Sequence, residues 1–153
     1  KQCKLIGVYK IRTMHAYSEY LQEYIYQKNS LQDGGKFKDD FRVTGAGRFM
    51  RKFWLDELPM IFNLFRGDMK LVGVRPLSKQ YFNLYTNELK EKRLKFKPGL
   101  VPPFYVDMPK TFDEIMDSEN RYLDSYTKNP FWTDFKYFFH ASYNIVLKRA
   151  RSN

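Results

Sequence analysis

The stretch Phe53-Trp-Leu-Asp-Glu-Leu-Pro-Met-Ile-Phe-Asn-Leu-Phe-Arg-Gly-Asp-Met-Lys-Leu-Val-Gly-Val-Arg-Pro76 sets the frame for the whole chain. It places two adjacent carboxylates, Asp56 and Glu57, just before a helix that Pro59 opens within its first turn. That helix runs through Phe65 and stops at Gly67, a residue suited to a left-handed C-terminal cap. A short apolar strand from Met69 to Val74 follows, and then Arg75-Pro76. Arg48, Arg51 and Lys52 precede the acids, while Arg66, Lys70 and Arg75 follow them. Two acids inside a ring of cations suit a phosphate-bearing substrate and a divalent metal.

Upstream, Val8-Tyr-Lys-Ile-Arg12 alternates apolar and polar residues, so residues 4–14 read as a strand with Lys10 and Arg12 on one face. Tyr17, Tyr20, Leu21, Tyr24 and Ile25 recur at helical spacing and predict an amphipathic helix over 16–28. Asn29 to Asp40 reads as a polar loop broken by Asp33-Gly-Gly35. Thr44 is placed to cap a short helix whose Phe49 and Met50 pack inward. Gly45 and Gly47 do not form a dinucleotide fingerprint, because no strand leads in and a third glycine is missing.

Downstream, residues 77–95 read as one long helix with Leu77, Tyr81, Leu84, Tyr85 and Leu89 on a stripe and a basic far end, Lys90, Lys92, Arg93 and Lys95. Those cations complement the helix dipole, and they also suit anionic headgroups. Lys97-Pro-Gly99 ends the helix, and Pro102-Pro103 predicts an extended segment from Leu100 to Met108. Thr111-Phe-Asp-Glu114 is a capping box that opens a helix to about Lys128. After Asn129-Pro130 the last helix, Phe131 to Lys148, carries aromatics nearly all round, which fits either a core or a membrane interface with a basic tail. Phe131, Trp132, Phe135, Lys148 and Arg149 are the candidate membrane-facing residues.

These elements predict a single α+β, helix-rich domain. Amphipathic helices surround a small sheet or hairpin built from residues 4–14 and 69–74. With 153 residues there is room for one core and hardly for two. The formal net charge of +10 suits a nucleic-acid patch, an anionic membrane surface or phosphorylated substrates. Cys3 is the only cysteine, and His15 and His140 are the only histidines, which excludes a disulfide framework and argues against a His-based metal cluster. No apolar run reaches the length of a membrane-spanning helix. The chain begins with Lys rather than Met, so a fragment of a longer protein is expected.

The residue types at the acidic pair match a specific chemistry. A carboxylate can attack an activated phosphorus and hold the group as an acyl phosphate. A second carboxylate can bind Mg²⁺, and arginines grip non-bridging oxygens with two parallel hydrogen bonds. Asp56, Glu57, Arg51 and Arg75 supply these groups. Taken alone, Asp-Glu before a helix is also what an ordinary N-terminal cap looks like.

An ordered set of motifs adds to this reading: Lys10-Ile-Arg-Thr-Met14, Arg42-Val-Thr44 with Gly47-Arg-Phe49, Leu55-Asp-Glu-Leu-Pro59, Asn63, Gly67-Asp-Met69, Gly73 with Arg75-Pro76, and Lys97-Pro-Gly99. Together they resemble the bacterial sugar transferases, the monotopic polyprenyl-phosphate sugar-1-phosphate transferases that start glycan assembly. The resemblance covers nearly the whole chain. It implies that residues 1–153 are a catalytic domain that moves a sugar-1-phosphate from a nucleotide sugar, usually a UDP-sugar, onto polyprenyl phosphate with Mg²⁺. By position it makes Asp56 the nucleophile and gives Glu57 the metal and proton handling. Arg51 and Arg75 become phosphate ligands, with Lys10 and Arg12 bordering the site. It further implies a re-entrant membrane segment ahead of residue 1, missing here, and a place at the cytoplasmic face of the bacterial inner membrane. Nucleic acid is not an expected partner.

The chain departs from the family pattern in four places. Trp54 stands where a small hydroxyl residue is usual, and Met60 where Gln is frequent. Val74 replaces the first proline of Gly-Pro-Arg-Pro. Leu100-Val-Pro-Pro-Phe-Tyr-Val106 replaces Ile-Thr-Gly-Leu-Trp-Gln-Val. Two rival readings follow. One is an inactive, membrane-associated scaffold of the same family, which Trp54 and residues 100–106 favour. The other is a basic nucleic-acid-binding module, which explains charge and aromatics but not the motif order.

Overall fold

The computed structural model describes residues 5–21, 24, 31–32, 36–37 and 40–147. Around the acidic pair the local signals hold. Thr44 Oγ1 accepts from the Gly47 N–H at 2.9 Å and starts α1, Gly45–Lys52. The chain then turns through Trp54, whose φ of 57° is left-handed, into a short 3-10 helix, Leu55–Glu57, that carries both acids. Pro59 leads into α2, Met60–Phe65. Gly67 adopts φ +71°, and its N–H bonds the Leu64 carbonyl at 3.0 Å, as the left-handed ending requires. Phe49 is exposed rather than packed inward and lies 4.8 Å from the Phe53 ring, while Met50 is half-buried.

The sheet differs from the expected one. β1, Leu31–Gln32, and β2, Lys36–Phe37, form a short antiparallel hairpin within the segment expected to be a loop. β3, Lys70–Val72, pairs in parallel with β4, Gly99–Val101, in the register Lys70 to Gly99 and Val72 to Val101. Residues 5–13 join no sheet, and their neighbour Met14 makes only an isolated bridge to Val43. The apolar–polar alternation there does not make a strand, because its backbone partners come from elsewhere: the Asn63 side chain and the Asp56 and Thr44 backbone. A parallel pair needs a long crossover. Here the crossover is α3, Lys79–Asn83, and α4, Asn87–Leu94. The expected single helix breaks at Leu84–Thr86, because Thr86 Oγ1 caps α4 and Tyr85 turns into the core. Beyond the β3–β4 pair the two chains nearly touch: a Cβ on Gly99 would meet the Gly73 N at 2.1 Å, so only glycine fits.

Pro103 does not prolong an extended segment. It leads a short helix, α5, Phe104–Asp107, which ends on Met108 with a left-handed φ of 48°. Thr111 caps α6, Phe112–Lys128, as read from the sequence, and the Glu114 carboxylate accepts from the Lys110 N–H at 2.7 Å. α7 spans Pro130–Leu147. Of the predicted helix over 16–28, residues 16–21 and 24 are described, with a 3-10 turn at Ser18–Leu21; Ile25 lies outside the described residues. Tyr17, Tyr20, Leu21 and Tyr24 are all exposed, so the expected apolar stripe is not buried.

The core joins Val72 and Val74 of the β3 segment to Tyr85, Leu89, Tyr122 and Leu123, with Phe112, Tyr137 and Phe138 packed against them. Lys70 belongs to this frame. Its ammonium pairs with Asp134 of α7 at 3.0 Å and lies 3.3 Å from the Tyr126 ring centroid. Asp134 also accepts from the Tyr122 hydroxyl at 2.6 Å; burial, and next this hydrogen bond, push that phenol's pKa up.

Of the basic end of the crossover, Arg93 is buried, Lys90 and Lys92 bond within the molecule, and Lys95 is exposed. Arg93 is buried and pairs with buried Glu119 of α6. Lys92 bonds Asn120 at 2.6 Å and pairs with Asp124, and Lys90 donates to the Asn83 carbonyl at 3.0 Å. Burial pushes the Glu119 carboxyl up, and the charge and hydrogen bond of Arg93 pull against it. Removing one partner of such a pair leaves a desolvated charge behind. Arg93→Met is therefore expected to lower the unfolding free energy in urea by about 3–5 kcal/mol. Arg93→Met with Glu119→Leu is expected to recover much of that loss. A loss below about 1 kcal/mol for the single variant would contradict a stabilising pair.

Candidate active site

Two clamps bring the site residues together. The first is Asn63 of α2, fully buried at 0% exposure. Its Oδ1 accepts from the Tyr9 N–H at 3.0 Å and its Nδ2 donates to the Gly7 carbonyl at 2.7 Å. The extended segment therefore runs along a side chain instead of a strand, with its backbone groups satisfied in that way. The Ile11 N–H bonds the Asp56 carbonyl at 3.0 Å, and the Thr13 carbonyl accepts from the Thr44 N–H at 3.0 Å. Ile6 and Val8 face a cavity, and Lys10 arrives with its Nζ 2.6 Å from Glu57 Oε1.

The second clamp holds Arg75. Its carbonyl accepts from Arg93 Nη2 at 2.6 Å. On the strand side the Gly99 N–H bonds the Val74 carbonyl at 2.9 Å, and the Gly73 N–H bonds the Val101 carbonyl at 3.1 Å. The bend Val74-Arg75-Pro76 is thus pinned on two sides, and the Arg75 guanidinium comes 4.0 Å from Glu57 Oε1.

Lys10, Glu57 and Arg75 line one cavity of about 290 Å³ together with Leu100, Pro102 and Tyr105. Two cations flanking one carboxylate have the chemistry to attract a phosphorylated group and to exchange a proton or ligate a cation at its edge. The other expected site residues lie around it. Asp56 is 9% exposed and is not among the cavity's lining residues. Arg51 donates to Thr13 Oγ1 at 2.9 Å, and Arg12 is exposed. Neither lines the cavity. Of the wider ring of cations, Arg66 bonds the Tyr9 hydroxyl at 2.8 Å and Lys70 serves the core. Among the described residues, no cluster of three or more His, Cys, Asp or Glu side chains could hold a metal alone. Glu57 fits the looser demand of Mg²⁺, which takes one or two carboxylates and completes its shell with water and substrate phosphates.

Arg93 and Asn63 are the residues whose roles the sequence reading missed. Asn63 stands in the motif set without a role, and nothing local marks Arg93 as buried. Trp54 is a third: it holds a strained left-handed backbone beside the acids, with its ring edge-on to Tyr105 at 5.5 Å.

Behind the site, buried Arg42 grips Asp40 through both carboxylate oxygens at 2.8 and 2.7 Å and donates to the Ser18 carbonyl at 3.2 Å. Burial would push the Asp40 carboxyl up, but the hydrogen bonds and charge of Arg42, with the charge of Arg51, outweigh it and hold it below its ordinary 3.8. A carboxyl depressed in the folded state stabilises above its unfolded pKa, and that stability is lost as pH falls through the folded value. Asp40→Asn is thus expected to cost stability at pH 7 and less at pH 3. An equal cost in urea unfolding at both pH values would contradict the pairing.

α7 buries Thr133, Ala141 and Asn144 and turns Phe131, Trp132 and Phe135 outward at 80, 60 and 47% exposure. Lys148 and Arg149 lie outside the described residues. No helix among the described residues is long and apolar enough to cross a membrane.

The family profile described as bacterial sugar transferase matches residues 1–148. The chain is 33% identical over 138 residues to the galactosyl transferase CpsE of Streptococcus agalactiae, covering 87% of this chain and 30% of that protein. It is 34% identical over 154 residues to the undecaprenyl-phosphate galactose phosphotransferase of Salmonella typhimurium, covering 95% of this chain and 31% of that protein. A UDP-glucose:undecaprenyl-phosphate glucose-1-phosphate transferase of Caulobacter vibrioides is 35% identical over 95 residues, 61% of this chain and 32% of that protein. The chain thus spans under a third of the length of these curated relatives. The motif order, the extent of the profile match and these identities agree, and the chain belongs to the bacterial sugar transferase family.

Proposed function

We propose that this chain is the catalytic part of a phosphoglycosyl transferase. It moves a sugar-1-phosphate from a nucleotide sugar, with a UDP-sugar as the first choice, onto polyprenyl phosphate. The observation that carries this reading is the convergence of Lys10, Arg75 and Glu57 on one cavity beside Asp56, in a chain whose relatives are named as undecaprenyl-phosphate sugar transferases.

The reaction runs as two displacements at one phosphorus. A carboxylate oxygen of Asp56 attacks the sugar-linked phosphorus of the donor, the bond to the bridging oxygen breaks, and nucleoside monophosphate leaves with that electron pair. A phosphate oxygen of the acceptor then attacks the same phosphorus and expels Asp56, giving polyprenyl diphosphate sugar. Arg75 and Lys10 hold non-bridging oxygens as charge builds. Arg51 and Arg12 act from the rim. Glu57, with the donor's diphosphate, would hold Mg²⁺, which neutralises the diphosphate and stabilises the leaving oxygen.

Glu57 faces the cavity and Asp56 does not, which favours a second reading in which Glu57 carries the phosphosugar. The aromatic outer face of α7 would rest on the membrane, on its cytoplasmic side, where the lipid acceptor is reached.

The test is nucleoside monophosphate release by membranes or detergent extracts given a panel of nucleotide sugars, polyprenyl phosphate and Mg²⁺. Asp56→Asn is expected to lower turnover by more than about a hundredfold with the fold intact. Full activity in that variant together with a dead Glu57→Gln would establish the second reading. Arg75→Lys keeps the charge but loses the fork, and about a 10- to 100-fold loss is expected. An Arg75→Lys enzyme as fast as the parent would remove Arg75 from the phosphate site.

A further inference from the structure

A second cavity, about 180 Å³ and almost wholly apolar, shares part of its wall with the first. Trp54, Leu58, Ile61, Val101 and Ile145 line it, and it shares Glu57, Leu100 and Tyr105 with the phosphate cavity. We propose that this slot takes the phosphate-proximal units of the acceptor's prenyl chain, so that one amphiphile spans both cavities. The inference rests on the proposed phosphosugar transfer and names where its lipid lies.

Three observations converge on a single-chain lipid phosphate. First, the cavity with Lys10 and Arg75 and the apolar slot share Glu57, Leu100 and Tyr105 as lining residues, so a ligand reaching from one to the other past these side chains has a phosphate head and an apolar tail. Second, the slot is smaller than the roughly 300–1,000 Å³ of pockets that enclose whole drug-sized ligands. It suits the start of one chain rather than two acyl chains side by side. Third, its outer lip continues over exposed Leu58, Ile61, Phe62 and Phe65, an apolar path by which the rest of the chain leaves toward a membrane.

Trp54 gives the slot its wall. A bulky residue held at φ 57° is strained, and such strain persists where the surroundings over-determine it. Here the indole packs edge-on to Tyr105 and closes the slot beside the acids. Two of the four departures from the family pattern, Trp54 and the 100–106 segment through Leu100, Val101 and Tyr105, thus shape this slot.

The test uses the 153-residue chain carrying Trp132→Phe, which leaves Trp54 as its sole tryptophan. Titration with farnesyl monophosphate is expected to shift Trp54 emission to the blue and to saturate. Farnesol, inorganic phosphate and a short two-chain phosphatidate are expected to bind at least tenfold more weakly. Ile61→Asp, at an exposed position, is expected to raise the Kd for farnesyl monophosphate tenfold or more and to leave nucleotide-sugar affinity within twofold. Trp54→Gly, which relieves the backbone strain, is expected to weaken the same ligand when followed by calorimetry. Unchanged Trp54 emission at saturation, or an Ile61→Asp chain that binds as tightly as its parent, overturns the slot. Tighter binding of the two-chain phosphatidate also overturns it in favour of a membrane phospholipid. Nucleotide-sugar turnover with a silent Trp54 discards the slot and keeps the reaction. A responsive Trp54 in a protein that turns over no donor does the reverse.

Discussion

Arg93 and Glu119 meet out of water, and the site depends on their pairing. Two buried charges are costly unless each finds the other and its remaining donors are used. Arg93 meets this demand in three ways: its guanidinium pairs with Glu119, donates to the Arg75 carbonyl and lies 4.9 Å from the Tyr85 ring. The same contacts that make the charge tolerable fix the bend that carries Arg75. The half-exposed guanidinium beside Glu57 is thereby aimed by a side chain buried in the core. The close approach of Gly73 to Gly99 completes the mounting, because any side chain there would push the crossover strands apart.

On the opposite wall Asn63 performs the matching task with neutral groups. Its amide replaces a neighbouring strand for Gly7 and Tyr9, and the extended segment delivers Lys10 to Glu57. The cavity is therefore built between two elements remote in sequence, each fixed by one buried polar side chain. Such polar clamps are directional in a way that apolar packing is not. The apolar slot and the cavity share lining residues of both β4 and α5, so the proposed lipid and phosphate sites share one scaffold.

Local chemistry was legible where a few adjacent residues decide the outcome. The caps at Thr44 and Thr111, the left-handed Gly67 and the helix after Pro59 follow from the residues at those positions. What escaped the sequence was set by partners far along the chain. Alternation in residues 4–14 predicted a strand, yet the described residues 5–13 join no sheet, because periodicity says nothing about what satisfies the backbone hydrogen bonds. The basic run of α4 looked like a surface patch because Arg93's partner lies 26 residues away. Lys70 joined the apparent ring of cations for the same reason, its counter-ion Asp134 being on the last helix. Of the candidate site, Lys10, Glu57 and Arg75 line one cavity, while Arg51 and Arg12 do not. The burial of Asp56 came from packing that no motif encodes.

The central claim is that a carboxylate of this pair holds the phosphosugar covalently between two displacements. The most direct measurement is the intact mass of the protein after brief exposure to the nucleotide sugar and Mg²⁺ without acceptor, followed by peptide mapping. The expected result is a gain of one sugar phosphate on the peptide containing Asp56, labile to hydroxylamine, discharged by polyprenyl phosphate and absent from Asp56→Asn. Turnover that needs both substrates together, with no covalent adduct at any time, would contradict the account.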